Sequence, residues 1–211
     1  MMAYLHMIKP IYRYTVYCYR YTEIMKQLAI FASGRGSNAQ KIVEYFQDIE
    51  DVNVQLIISN KASAAVLDMA NENGISTLVI KRKQFYETQN LLNELANFQI
   101  DFIVLAGFLW LIPPYLVETF PQKIVNIHPA LLPKYGGKGM YGMNIHRAVH
   151  AAKEAVSGIT IHYVNEQYDE GDIIFQAECP LNIADNPENI AKKVLILEHH
   201  HFSRVIHEIL T

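Results

Sequence analysis

Cysteine is scarce: Cys18 and Cys179 are the only two in 211 residues, lie far apart and form no C-x-x-C pair. That argues against a disulfide framework and against a cysteine-built structural zinc site, and makes a reducing cytoplasm the expected compartment. Long apolar runs are missing too. Nothing approaches the roughly 18 consecutive apolar residues that a membrane-spanning helix needs, and the first residues hold no continuous apolar segment before a small-residue cleavage site. Positive charge is not in excess: 18 Lys and Arg stand against 21 Asp and Glu, for a formal net charge of -3, so the footprint of a nucleic-acid partner is absent. What remains is a chain that is 51% hydrophobic, without internal repeats or linkers, and long enough to bury one sizeable core.

The stretch around which the chain is organised is Val125-Asn126-Ile127-His128-Pro129. Asn126 and His128 are two residues apart, so on an extended backbone both side chains leave the same face. Pro129 cannot donate to a strand ladder and biases His128 away from helix, which places His128 at a strand's end, where open parallel sheets hold ligands. An amide and an imidazole at one strand tip suit acyl transfer, one stabilising an oxyanion while the other manages a proton. Taken alone, N-x-H-P reads equally as a histidine capping a loop and an asparagine in a turn.

The rest of the chain supplies the frame. Residues 1 to 24 are crowded with tyrosine and read as an unstructured leader, with Met25 just ahead of the first convincing strand, Gln27 to Ala32. Ser33-Gly-Arg-Gly-Ser-Asn38 then forms a turn into a helix from Ala39 to Phe46, with Ser37 and Asn38 as N-cap candidates. Strand, glycine loop and helix together make a phosphate site, because free backbone N–H groups and the positive end of the helix dipole converge there. A tight structural turn explains the same glycines, and neither the dinucleotide fingerprint nor a P-loop is present. Further on come strand Val52 to Ser59, helix Ala62 to Asn73, strand Thr77 to Ile80, helix Phe85 to Phe98 and strand Asp101 to Ala106. This alternation predicts an α/β fold with a mostly parallel, Rossmann-like sheet covered by helices on both faces. Phe108 to Ile112 follows a strand end and is placed to line a cleft for a flat heterocycle, although packing alone would also account for Trp110. Lys134 to Met143, with four glycines, reads as a flexible loop; Ile145 to Ala152 reads as a short helix. Gly158 to Val164 and Asp172 to Glu178 read as an antiparallel C-terminal strand pair, and a last helix runs from about Pro187 to Leu210. His199-His200-His201 within it cannot converge on a metal, since consecutive helical side chains point about 100° apart.

Six segments, Ser33-Gly-Arg-Gly-Ser-Asn38, Ser59-Asn-Lys61, Val104-Leu-Ala-Gly-Phe108, Asn126-Ile-His-Pro-Ala-Leu-Leu-Pro-Lys134, Gly158-Ile-Thr-Ile-His162 and Asp169-x-Gly171, occur in order from about Met25 to His201. In that order and spacing the chain resembles the glycinamide ribonucleotide formyltransferases of the folate-dependent formyltransferase family. The resemblance implies one formyltransferase domain over residues 25–211 and transfer of a formyl group from 10-formyltetrahydrofolate to glycinamide ribonucleotide in purine synthesis. It implies no metal, no nucleic acid and no membrane, with a monomer or homodimer as the assembly. By the same resemblance Asn126, His128 and Asp169 form the catalytic trio. Gly36, Ser37 and Asn38 cradle the substrate phosphate, and Glu198 contacts the ribonucleotide. Leu109, Trp110, Leu111 and Ile112, with Asn126, bind the folate, and the loop Asn165 to Glu170 is its other wall. His162 matches a family histidine but, standing inside a strand, is expected to be structural.

Departures from the pattern fall at Trp110 and Asn144, where relatives often carry Arg and His, at Glu87 to Asn90, where they often carry a basic residue, and in the longer loop Lys134 to Met143. A deformylase of the same donor, a methionyl-transfer-RNA formyltransferase and a silent nucleotide-binding module are the alternatives. The transfer-RNA enzyme needs an additional C-terminal domain and an RNA-binding surface, and the deformylase a small regulatory domain ahead of the core. Since nothing in residues 1 to 24 matches the family, a chain starting at Met25 should keep its melting temperature. A lower one would show the tyrosines packing on the sheet.

Overall fold

The structure, a computed structural model, describes residues 25–211, so the expected leader lies outside the described residues. Seven strands form one mixed sheet: β1 Lys26–Phe31, β2 Val52–Ser59, β3 Ser76–Val79, β4 Phe102–Leu105, β5 Ile124–His128, β6 Val156–Tyr163 and β7 Ile173–Pro180. Their order across the sheet is β3-β2-β1-β4-β5-β6-β7. The first five strands run parallel, while β6 is antiparallel to both β5 and β7. The helices are α1 Ser37–Phe46, α2 Ala65–Glu72, α3 Arg82–Glu87, α4 Asn90–Asn97, α5 Pro114–Thr119, α6 Met143–Ala151 and α7 Pro187–Leu210.

Alternation along β1 shows why its apolar run is continuous. Leu28 and Ile30 enter a core shared with α1, α2, α6 and α7, whereas Ala29 and Phe31 enter a second core shared with α3, α4 and α5. A parallel strand covered on both faces has no polar side to display. The last helix begins on a side-chain cap, with Asn186 Oδ1 accepting from Asn189 N at 2.8 Å and Pro187 in the first turn. Its buried stripe runs Ile190, Val194, Glu198, Phe202 and Ile206, a four-residue spacing that keeps one face on the sheet.

Two expectations are corrected. The helix read from Phe85 to Phe98 is broken into α3 and α4 at Thr88, whose backbone is extended (φ -135, ψ 162). Its hydroxyl donates to Gln84 O at 2.9 Å and accepts from Asn90 N at 3.4 Å, a local alternative to continuing the helix. The loop after β5 is not free along its length, because Tyr135 Oη donates to Glu154 Oε1 at 2.8 Å and Gly137 N donates to Asp169 Oδ2 at 2.9 Å.

Because the chain winds outward from β1 in both directions, to β2 and β3 on one side and to β4 and β5 on the other, a crevice opens beyond the C-terminal ends of β1 and β4. The β6–β7 pair leans on glycine where two backbones meet. A Cβ on Gly158 would lie 2.1 Å from the Ala177 carbonyl oxygen, whereas one on Gly34 would meet nothing within 4 Å. Gly158→Ala should therefore cost about 1 to 3 kcal/mol of stability in urea unfolding, and Gly34→Ala should stay within about 0.5 kcal/mol. Equal midpoints for the two variants would refute the close approach.

Candidate active site

The crevice deepens into a cavity of about 520 Å³, and two segments that start at neighbouring strand ends build its floor. Ser33, directly after β1, ties them together: its N–H donates to Gly107 O at 3.1 Å and its hydroxyl accepts from Leu109 N at 3.0 Å. Gly36 then adopts φ +77, and a Cβ there would sit 2.4 Å from Val66 Cγ2, so only glycine lets this loop pass α2 and enter α1. Gly36 itself occupies the N-cap position and no side chain caps the helix. This corrects the expectation for Ser37 and Asn38, which lie inside the first turn. Uncapped N–H groups at a helix start face the cavity and offer an anion both hydrogen bonds and the dipole.

Asn38 instead reaches across to α7, where its Nδ2 donates to Glu198 Oε2 at 2.7 Å. Glu198 is 8% exposed and, among the described residues, makes no ion pair; burial raises its pKa, opposed by the Asn38 hydrogen bond and by the coulombic influence of His128. The Oδ1 of Asn38 is buried without a partner. On the other side of the cavity, Leu109 to Ile112 line the wall. Tyr86 Oη donates to Leu111 O at 3.0 Å, and Trp110 packs against Phe85, Tyr86 and Phe108 with ring centroids 5.5 to 6.1 Å apart.

Asn126 and His128 meet the cavity from the end of β5, as their alternation required. Antiparallel register sets His162 directly opposite Asn126 and Thr160 opposite His128. The Thr160 hydroxyl donates to Ala130 O at 2.7 Å and accepts from Leu132 N at 3.0 Å, which pins the segment that leaves His128. His162 Nδ1 donates to Tyr163 O at 2.8 Å; in the neutral ring this leaves Nε2 to accept from Asn126 Nδ2 at 3.0 Å. His162 is thus more than the structural strand residue expected of it, since it turns the Asn126 amide.

Asp169 joins the group from the loop between β6 and β7. Its Oδ1 lies 3.4 Å from His128 Nδ1 and 3.7 Å from His162 Nε2, and its Oδ2 accepts from Gly137 N. Burial penalises its charge, but the hydrogen bond with His128, the charge of His128 and the Gly137 N–H outweigh that penalty. They hold the carboxyl well below the usual carboxylate range. His128 Nε2 faces the Tyr135 carbonyl at 2.8 Å. Both ring nitrogens therefore face acceptors, and only a doubly protonated ring gives each a hydrogen.

The candidate catalytic trio, Gly36 to Asn38, Glu198 and Leu109 to Ile112 all line this one cavity, whereas the loop Asn165 to Glu170 reaches it only at Gln167, Tyr168 and Asp169. Sequence reading missed His146 on α6, which is 6% exposed, lines the cavity and leaves Nδ1 without a partner. Burial first, then the coulombic influence of His128, lowers its pKa. Its signal in the sequence is slight: His146 stands one position past the apolar Ile145 of a short helix. Among the described residues no group of three or more His, Cys, Asp or Glu is placed to hold a metal ion, and no helix is long and apolar enough to cross a membrane.

Comparison with known proteins agrees with this arrangement. Residues 26–206 match the formyl transferase family. The chain is 43% identical over 188 residues to the chloroplastic phosphoribosylglycinamide formyltransferase of Arabidopsis thaliana, covering 86% of this chain and 64% of that protein. It is 39% identical over 186 residues to the corresponding Vigna unguiculata protein, covering 60% of it. The chain thus spans under two thirds of the length of these plant relatives. Among solved structures, phosphoribosylglycinamide formyltransferase from Anaplasma phagocytophilum superposes with a TM-score of 0.79 at 34% identity, covering 87% of this chain and 86% of that one. The Bacillus halodurans protein superposes equally well at 32% identity, covering 88% and 96%. With its sheet order, its cleft and these likenesses, the chain belongs to the formyl transferase family, among the phosphoribosylglycinamide formyltransferases.

Proposed function

We propose that this chain transfers the formyl group of 10-formyltetrahydrofolate to the amine of glycinamide ribonucleotide, giving formylglycinamide ribonucleotide and tetrahydrofolate. The observation that carries the reading is the clustering of Asn126, His128 and Asp169 between an uncapped helix start and an aromatic-backed slot. The phosphate of the ribonucleotide takes the N–H groups of Gly36, Ser37 and Asn38, and Glu198 accepts from its hydroxyls. Leu109, Trp110, Leu111 and Ile112 hold the flat pterin, with backbone groups reading its edge. We place the reaction in the cytoplasm, the plastid being the compartment named for the plant relatives.

Attack of the amine on the formyl carbon forms a C–N bond and moves an electron pair onto the formyl oxygen. One hydrogen of the Asn126 amide is engaged by His162, and the other donates to that oxyanion. His128, held by Asp169 through Nδ1, turns its Nε2–H from the Tyr135 carbonyl to the same oxygen when substrate is bound and supplies that proton to the departing folate nitrogen as its bond to the formyl carbon breaks. The proton lost by the attacking amine restores His128. Mixing the protein with 10-formyltetrahydrofolate and glycinamide ribonucleotide tests the whole reading: tetrahydrofolate should appear only when both are present, and release without the ribonucleotide would identify a deformylase.

Asn126→Ala should cost about 2.7 to 4 kcal/mol in the chemical step if it is the oxyanion donor. His128→Ala/Asp169→Asn should be little worse than the worse single variant, because Asp169 works through His128. Single-turnover formyl transfer, with thermal unfolding as control, measures both. Strictly additive losses would remove Asp169 from the unit, and near-native transfer by His128→Ala would defeat the mechanism.

Glu198 carries a second expectation. Its folded pKa is raised, so the protonated form is favoured in the folded state. Its contribution is favourable below the unfolded value of about 4.3 and is lost as pH rises through the folded value. At pH 8 the buried carboxylate is a burden that Glu198→Gln removes. The variant should melt above wild type at pH 8, lose that advantage near pH 4, and bind the ribonucleotide more weakly. A lower melting temperature at pH 8 would contradict this account.

A further inference from the structure

The pterin end of the formyl donor is flat and uncharged, but its other end is a glutamyl tail whose carboxylates stay ionised at neutral pH. The cleft that takes the first must therefore leave the second at its mouth, in or near water. On the aromatic side the solvent boundary is marked by Leu109, 41% exposed, and Tyr86, 37% exposed. Arg82, the first residue of α3, lies there. Its guanidinium carbon is 5.0 Å from the centroid of the Tyr86 ring and 5.6 Å from that of Trp110. Trp110 itself lines the cavity, and Tyr86 is fixed to the same wall through Leu111 O.

This arrangement orders the arginine without neutralising it. Cation–π contact with the two rings holds the guanidinium without consuming its N–H groups, which stay available to a planar acceptor. Among the described residues Arg82 makes no ion pair, while its neighbour Lys83 lies 4.0 Å from Glu87. Lys81, Arg82 and Lys83 are consecutive, so positive charge is concentrated at the start of α3. Contact with both rings restricts a side chain that would otherwise lose much rotamer freedom on binding, and so lowers the entropy cost of gripping an anion.

We propose that Arg82 is the group that holds a tail carboxylate of the formyl donor, as a specificity residue for the acidic tail. The proposal rests on the formyl-transfer reading above. Trp110 is the sole tryptophan of the chain, so its fluorescence reports occupancy of the slot directly and without turnover. Titrating wild type with 10-formylfolate and with 10-formylpteroate, which lacks the glutamate, should show the first bound about three- to fivefold more tightly, the size of an exposed charged pair. Arg82→Gln should erase that preference while leaving affinity for the pteroate unchanged. Arg82→Lys, a point charge without the stacked plane, should keep only part of it. Equal weakening of both ligands in Arg82→Gln, or an unaltered preference, would overturn the assignment of the tail to Arg82 and leave the formyl-transfer reading standing. If neither ligand altered the fluorescence of wild type, the donor site itself would be wrong, and this inference would fall with it.

Discussion

A carboxylate with only 11% of its side chain exposed does not stay ionised without partners, and Asp169 has two: His128 and the Gly137 N–H. Each comes from a different part of the chain. Through His128 the carboxylate reaches the end of β5, and through Gly137 it anchors the long glycine loop. Its depressed pKa means that this linkage contributes stability above the unfolded value of about 3.9 and loses it as pH falls through the folded one. One buried charge thus holds together the loop and the imidazole on which formyl transfer is proposed to depend.

The sheet gives that charge its place. Parallel winding away from β1 opens the crevice, but the antiparallel return of β6 beside β5 completes the cluster, because register alone decides that His162 faces Asn126 and Thr160 faces His128. With His162 Nδ1 committed to its own strand's carbonyl, the neutral ring presents an acceptor to Asn126. The amide is then aimed before any substrate arrives, and an oxyanion donor needs that preorganisation. A slip of one residue would put Ile161 where His162 stands and send the imidazole to the opposite face.

Binding and stability pull in opposite directions around Asn38 and Glu198, where the ribonucleotide is proposed to bind. Glu198 interrupts the buried stripe of α7 between Val194 and Phe202, and its partner Asn38 keeps one buried oxygen unsatisfied, as does the Nδ1 of His146. Unpaired buried polar atoms cost on the order of 1 to 3 kcal/mol each, and a fold selected for stability alone would have filled these positions with leucine or phenylalanine. Hydrogen-bonding capacity left open inside a cavity is what a polar ligand recovers.

Much of this protein could be read without coordinates. Continuous apolar runs at Leu28, Ile57 and Val104 alternating with helical spacing announced a parallel sheet, since only a strand buried on both faces lacks a polar side. The two-residue spacing of Asn126 and His128 put both on one face of a strand that Pro129 was bound to end. Glu198, third in an otherwise apolar i, i+4 stripe, was legible only through the family resemblance. Local rules failed where the decisive partner is remote in sequence. Whether Phe85 to Phe98 is one helix or two turned on the Thr88 hydroxyl, and whether Ser37 caps α1 turned on how closely Gly36 passes Val66. The roles of His162 and His146 required the β5–β6 register and the packing of α6, and the position of Arg82 over Trp110 required two segments 28 residues apart to meet at one rim. Side-chain periodicity is a property of neighbouring residues and is written in the chain; which acceptor a given imidazole meets is a property of strands brought together, and only the folded sheet decides it.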